Sequence, residues 1–399
     1  MLSVLTRNPS LRALVASRLV SSAGTWLAYV ALTVDVYVRT HSSVWVSAVL
    51  LAEFLPTVAV AALFGPWLDR ISRRTLLIAS ELAAGAVFAA LPFAPSAAVV
   101  VGLALCAGFA NAVFFPSARA SLPLLVAEDD LPTANAVYQT AGTSGLAAGP
   151  VLAGLLVAAS GVDLAYALNA LSFAASAVLL SRLPTLAPGE TERRRYWQTA
   201  FAGVRVFAES SVLRSVLQSW LLASLGGAVI NVGEIFLARQ TFHAGTVGFG
   251  LLASASGSGI VAGSVLAARI GLGGAVRACA VGATAFACGF AGAALAPSIW
   301  LAGACAFCGG VGNALFMAAS TLAVQQSTED AVRGRAFAFF DAAGSSTLAG
   351  GMAGAGLLIS ATGARAAWLV AAALGAIAAV GLLRHQAGVE VLRPEPEPS

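Results

Sequence analysis

Long apolar runs alternate with short polar breaks along almost the whole chain. Runs at 13–38, 44–64, 75–94, 97–121, 133–159 and 163–183 are each long enough to cross a bilayer, which takes about 20 mainly apolar residues. After a more polar stretch, six more follow at 215–239, 246–268, 276–296, 299–323, 334–360 and 364–383. The pattern predicts an all-α membrane protein with 12 transmembrane helices in two pseudo-symmetric six-helix bundles. The bundles are expected at 1–183 and 215–383, with a cytoplasmic linker over 184–214 and a disordered cytoplasmic tail over 384–399. In the linker, Tyr196, Ala200, Val204 and Phe207 recur on one helical face, the spacing of an amphipathic helix lying on the membrane. The first run is too long for the apolar core of a signal peptide and is read as a helix.

The two sets of six are copies. Residues 141–161 align without a gap with residues 343–363, an offset of 202, and 12 of these 21 positions are identical. The same offset aligns Gly108–Phe115 with Gly310–Met317 and sets His41 opposite His243. A repeat half the chain long means duplication of an ancestral half. In an apolar chain it points to a membrane protein whose function sits where the halves meet.

Composition narrows the class. The chain is 59% hydrophobic and 10% charged, against roughly 25% charged in soluble domains. Its net charge of +4 is carried by arginine, since the chain has no lysine. A phosphate-cradling loop of the G-x-x-x-x-G-K-[ST] type needs its lysine, so the chain by itself is no ATP-driven pump. Schiff-base chemistry is excluded on the same ground. Cys106, Cys279, Cys288, Cys305 and Cys308 all fall in apolar runs and read as small buried residues, and the three histidines are too scattered for a metal cluster. With the N-terminus inside, only Arg39, Arg239 and Arg365 face outward, while 17 arginines lie on the inner side. The positive-inside rule then puts both termini in the cytoplasm, in a multi-pass protein of the inner (plasma) membrane.

Two motifs stand out. Between the second and third runs lies Gly65-Pro-Trp-Leu-Asp69-Arg70-Ile-Ser-Arg73-Arg74. An acid here can accept from a helix N-terminus and pair with an arginine. In the fifth run, Gly145, Gly149, Pro150 and Gly154 combine small residues four apart, which allow close helix packing, with a proline that permits a bend.

The first motif closely resembles the G-x-x-x-D-R-x-x-R-R loop of the major facilitator superfamily, with Ser72 where that family usually has glycine. The second resembles the glycine-rich motif in the fifth helix of the family's exporters. The stretches from Asn111 to Arg119, from Glu128 to Asn135, and Arg333-Gly-Arg-Ala-Phe337 are similar to the enterobactin-exporter and macrolide-efflux branch. The resemblance covers residues 13–383. It implies a secondary transporter working by alternating access, with spans one, four, seven and ten around a central cavity. Trp26, Tyr29, Asn111, Asn231 and Asn313 are the residues expected to line that cavity.

Ionisable groups inside a membrane are costly and usually functional. Glu53, Glu234, Asp35 and Asp341 are the candidates for proton coupling, with Glu53 and Glu234 first because they lie deepest or best accompanied. Arg18 and Arg119, near inner helix ends, read as structural. Asp69, Arg73, Arg119 and Glu81 are expected to form a charge network locking an inner gate, together with Gly65, Arg70 and Arg74 of the loop. The expected function is proton-coupled efflux of a small organic molecule such as a drug, antibiotic or siderophore. The alternatives are a proton-coupled importer and a non-transporting receptor or scaffold. The expectation includes no enzyme chemistry, no cofactor beyond the proton gradient, no nucleic-acid partner and a monomer in the lipid bilayer.

Overall fold

The computed structural model describes residues 2–63, 70–186, 203–270 and 274–391. Three expected features lie outside them, namely Gly65 to Asp69 of the arginine loop, most of the linker, including Tyr196 and Ala200, and residues 392–399 of the tail. The described residues are helical almost throughout and contain no strand. Among the described residues, ten helices are long and apolar enough to cross a membrane.

The first copy comprises α1 (Leu2–Arg7), α2 (Pro9–Thr40), α3 (Ser43–Leu63), α4 (Arg73–Ala90), α5 (Ala97–Leu125), α6 (Leu131–Thr143) and α7 (Gly145–Leu180). The second comprises α8 (Ser211–Phe236), α9 (Gly245–Ile270), α10 (Ala275–Leu295), α11 (Ile299–Gln326), α12 (Asp330–Thr362) and α13 (Ala364–Val391). Inside α7, Gly161 takes φ 77°, ψ 180°, a conformation open to glycine alone, and breaks the helix between the expected runs at 133–159 and 163–183. The last helix runs to Val391, so residues 384–391, expected in a disordered tail, are helical. No proline interrupts the chain there before Pro394.

The repeat is written into the backbone. Asn8 and its counterpart Ser210 both cap a helix, accepting from the N–H of Leu11 and Leu213 at 2.9 and 3.3 Å. Ser96 and Ser298 do the same for Val99 and Leu301. The side-chain oxygens satisfy amides that have no partner in the first turn. The non-glycine residues with positive φ among those described are His41 (φ 49°) and His243 (φ 53°), again counterparts. Gly161 is matched by Gly363 (φ 83°).

The chain divides into two compact units, one of 1–193 with 238–254, the other of 194–237 with 255–399. The first unit packs Leu11, Leu14, Leu77, Phe114, Leu122, Tyr138 and Leu180 into a core at its α1 end. The second buries the counterparts Leu213, Val216, Cys279, Phe316, Val324, Phe340 and Leu382. Large apolar side chains also lie on the outside, with Phe93 84%, Trp300 74% and Leu171 65% exposed. Water would oppose so much bare apolar surface, whereas lipid accepts it.

Candidate functional site

Within the first unit, three polar or close-packed sites can be built from the residues upward. The first joins α2 to the glycines of the fifth run. Trp26 fills the notch left by Gly145 and Gly149, where a Cβ would lie 2.6 and 2.7 Å from its side chain. Tyr29, one turn on, stands edge-on to Trp26 at 6.0 Å and tilts against Phe249 at 5.8 Å. Two expected cavity aromatics and the glycine motif thus form one contact. Pro150 and Gly154 lie along the same helix and meet α9. A Cβ at Gly154 would lie 3.0 Å from the Thr246 carbonyl, and one at Gly250 would strike the carbonyl of Pro150. The amide of Val151 donates to Ser254 Oγ at 2.8 Å. Small residues bring the backbones close enough for that bond.

The second site closes the far end of α2. Asp35, 5% exposed, accepts from Arg39 Nε at 2.6 Å and from the Tyr166 hydroxyl at 3.0 Å. Arg39 also donates to the Ala94 carbonyl at 2.9 Å. Both carboxylate oxygens are occupied. Arg39, four residues on along the same helix, is a partner of Asp35 that spacing alone indicates, whereas Tyr166 is not. The link of Tyr166 to Asp35 is a tertiary contact across 131 residues.

The third site surrounds α4. The arginines of the loop cap neighbouring helices: Arg73 Nη1 donates to the Ala120 carbonyl at 2.7 Å and Arg74 to that of Ser181. Glu81 does not join them. It lies eight residues beyond Arg73, about 12 Å along the helix, is 2% exposed, and faces Arg18 of α2. The Arg18 guanidinium lies over Phe115 at 4.7 Å and Tyr138 at 5.7 Å. It fits because Gly142 has no side chain: a Cβ there would lie 2.7 Å from Arg18 Nε. Of the expected network of Asp69, Arg73, Arg119 and Glu81, Asp69 lies outside the described residues; among these, the cation set nearest to Glu81 is Arg18, not Arg73. Arg119 and Arg70 are exposed.

The remaining expected residues are spread. Glu53 is half-buried on α3, and its backbone carbonyl packs against Gly108 of α5, where a Cβ would lie 2.5 Å away. Asn111 is half-buried on α5. In the second unit Asn231 and Asn313 are half-buried, Glu234 is 4% exposed on α8, and Asp341 is exposed on α12. That unit also holds an open groove of about 690 Å³ between α9 and α11, whose polar lining is Ser264, Thr321 and Gln325.

Comparison with known proteins decides the family. The model of the transmembrane secretion effector family, a group of major facilitator transporters, matches residues 4–394. The chain belongs to that family. It is a multi-pass membrane protein of the major facilitator fold. Among curated relatives, the enterobactin exporter EntS of Shigella boydii serotype 4 (strain Sb227) is 26% identical over 255 residues, 62% of this chain and 61% of its own. EntS of Escherichia coli O127:H6 matches at the same identity and coverage. The match thus spans about three-fifths of the length of these relatives. Among solved structures, a bacterial homologue of the lysosomal transporter Spinster superposes with TM-score 0.73 at 14% identity, covering 97% of this chain and 98% of its own. A bacterial homologue of the iron transporter ferroportin gives 0.73 at 17% identity, covering 94% and 98%. At such identities these two speak for the fold.

Proposed function

We propose that the chain is a proton-coupled exporter of a small organic molecule, an antiporter of the plasma membrane that works by alternating access as a monomer, with both termini cytoplasmic. The observation that carries this reading is the contact of Pro150 and Gly154 with Gly250 and Ser254. A seam of small residues held by one side-chain hydrogen bond gives two helices a close fit that separates without leaving buried charges unpaired. The direction rests on the secretion effector family and on relatives named as exporters. A siderophore of the catecholate type, an antibiotic or another drug is the substrate class this supports, with Trp26 and Tyr29 as its aromatic contacts.

Of the four acids proposed for coupling, the pairing of Asp35 on both oxygens and the exposure of Asp341 weigh against those two. Glu53 and Glu234 keep their place. The test is accumulation by inside-out vesicles of three probes, enterobactin, erythromycin and ethidium, under an imposed pH gradient. The reading expects gradient-driven accumulation of at least one probe, and its abolition by Glu53→Gln or Glu234→Gln. Accumulation indifferent to the gradient sinks it.

A further inference from the structure

The polar cluster around Glu81 has an unusual control inside the same chain. Adding 202 to each of its residues gives the position that does the same structural job in the second copy. Arg18 becomes Trp220, Ser21 becomes Ala223, Glu81 becomes Ala283, Tyr138 becomes Phe340 and Ser176 becomes Ala378. Every polar member has an apolar counterpart. Trp220 occupies the place of Arg18 in detail: it lies against Gly344, counterpart of Gly142, and stacks on Phe340 at 4.8 Å. Ala283, Phe340 and Ala378 are buried in the apolar core beside it. The helical framework is therefore complete without these polar groups.

Their own hydrogen bonding supports a role other than packing. Glu81 Oε2, Arg18 Nε and the Tyr138 hydroxyl are all buried without a hydrogen-bond partner among the described residues. Ser21 and Ser176 lie beside the Glu81 carboxyl yet leave that oxygen unsatisfied. Buried polar atoms are normally paired, and each orphan calls for an explanation. The titratable groups facing Glu81 are Arg18 from α2 and, around Arg18, Tyr138 from α6 and Arg119 from α5; α7 supplies the Ser176 hydroxyl.

We propose that Glu81 is a proton-binding site with Arg18 as its charge partner, and that the proton it exchanges drives transport. The second half of this rests on the export reading above. With the proton on, Glu81 is a neutral acid, and the Arg18 guanidinium rests on the ring faces of Phe115 and Tyr138. When the proton leaves, the carboxylate draws the guanidinium and its unpartnered Nε toward α4. A cation leaving two ring faces for a carboxylate changes what holds α5 and α6 to α2, since a cation over a ring is bound more weakly than one in a desolvated ion pair. The step moves one proton between the carboxyl and solvent and forms no covalent bond. Gly142 is what leaves room for the guanidinium to swing.

Infrared difference spectra of the full-length protein in lipid vesicles, recorded across a pH titration, read the carboxylic-acid C=O stretch directly. The expected result is a band that titrates in the wild type, is lost in Glu81→Gln and persists in Glu53→Gln. Arg18→Gln, which removes the stabilising cation, is expected to raise the proton affinity of that band by roughly tenfold or more. Glu81→Asp, which keeps an acid in place, is expected to retain a shifted band. A titrating band untouched by Glu81→Gln, or a midpoint unmoved by Arg18→Gln, overturns the proposal. If the band behaves as expected while vesicle accumulation ignores the proton gradient, the coupling half falls together with the export reading and the proton site stands.

Discussion

Arg18 and Trp220 are the same position in two copies of one fold, and the glycines they lean on, Gly142 and Gly344, are the same residue. Around Arg18 the first copy gathers an acid, a phenol and hydroxyls; around Trp220 the second gathers alanine and phenylalanine. The caps, the positive-φ histidines and the helix-breaking glycines are shared. Aromatic pairs are shared too: Phe88 lies 6.3 Å from Tyr166, and their counterparts Phe290 and Trp368 lie 5.7 Å apart. The comparison separates what the fold needs from what has been added to it. Backbone punctuation and the apolar core positions are held in both copies, while among the described residues buried charge sits where the other copy has no matching charge. Asp35 and Arg39 face Leu237 and Thr241 across the repeat, and Glu53 faces Ala255.

The hardest way to break the symmetry is to carry the charge across. Trp220→Arg would bury a guanidinium in a core whose counterpart of Glu81 is Ala283, and an unpaired buried charge costs about 3–5 kcal/mol. Thermal unfolding in detergent should show that loss, or the protein should fail to accumulate in membranes. Next comes Gly250→Val, which drives two methyls into the Pro150 carbonyl. Overpacking of this kind costs about 1–3 kcal/mol; the same assay should show it, and gradient-driven export should fall further than stability does. Gly161→Ala and Gly363→Ala test the symmetry itself. Each forces a side chain into a backbone region reserved for glycine at a cost of about 1–3 kcal/mol, and the two losses should agree. A large effect at one and none at the other would show that the breaks are not equivalent. The smallest effect is at Arg205, whose 2.6 Å ion pair with Glu209 is fully exposed. Glu209→Gln should leave the unfolding temperature unchanged at any salt concentration, since an exposed pair of this kind contributes little.

Much of this was legible in the residues. Apolar runs located the helices because lipid demands continuous apolar length, and the 202-residue offset exposed the repeat because glycines at close contacts resist change. The glycine motif of the fifth run pointed to tight packing, though its partners, Trp26 on one side and Gly250 on the other, needed tertiary structure. In the sequence Asp35 is one of four coupling candidates because Tyr166, its partner on the second oxygen, lies far along the chain, and Glu81 falls to the arginine loop because Arg73 is near. Sequence distance misleads when helices bring remote faces together. Yet the signal for the Glu81 cluster was present in the repeat itself: Arg18 opposite tryptophan, Glu81 opposite alanine, Tyr138 opposite phenylalanine.

That correspondence supplies its own most direct test. In the triple variant Arg18→Trp, Glu81→Ala, Tyr138→Phe, the first copy receives the residues of the second. If the polar cluster serves chemistry and not folding, the variant should unfold at or above the wild-type temperature, because replacing buried polar groups that lack partners by apolar groups of matching shape is nearly neutral or stabilising. A variant that unfolds well below the wild type, or does not fold, would show that the cluster holds the first copy together and would contradict the account.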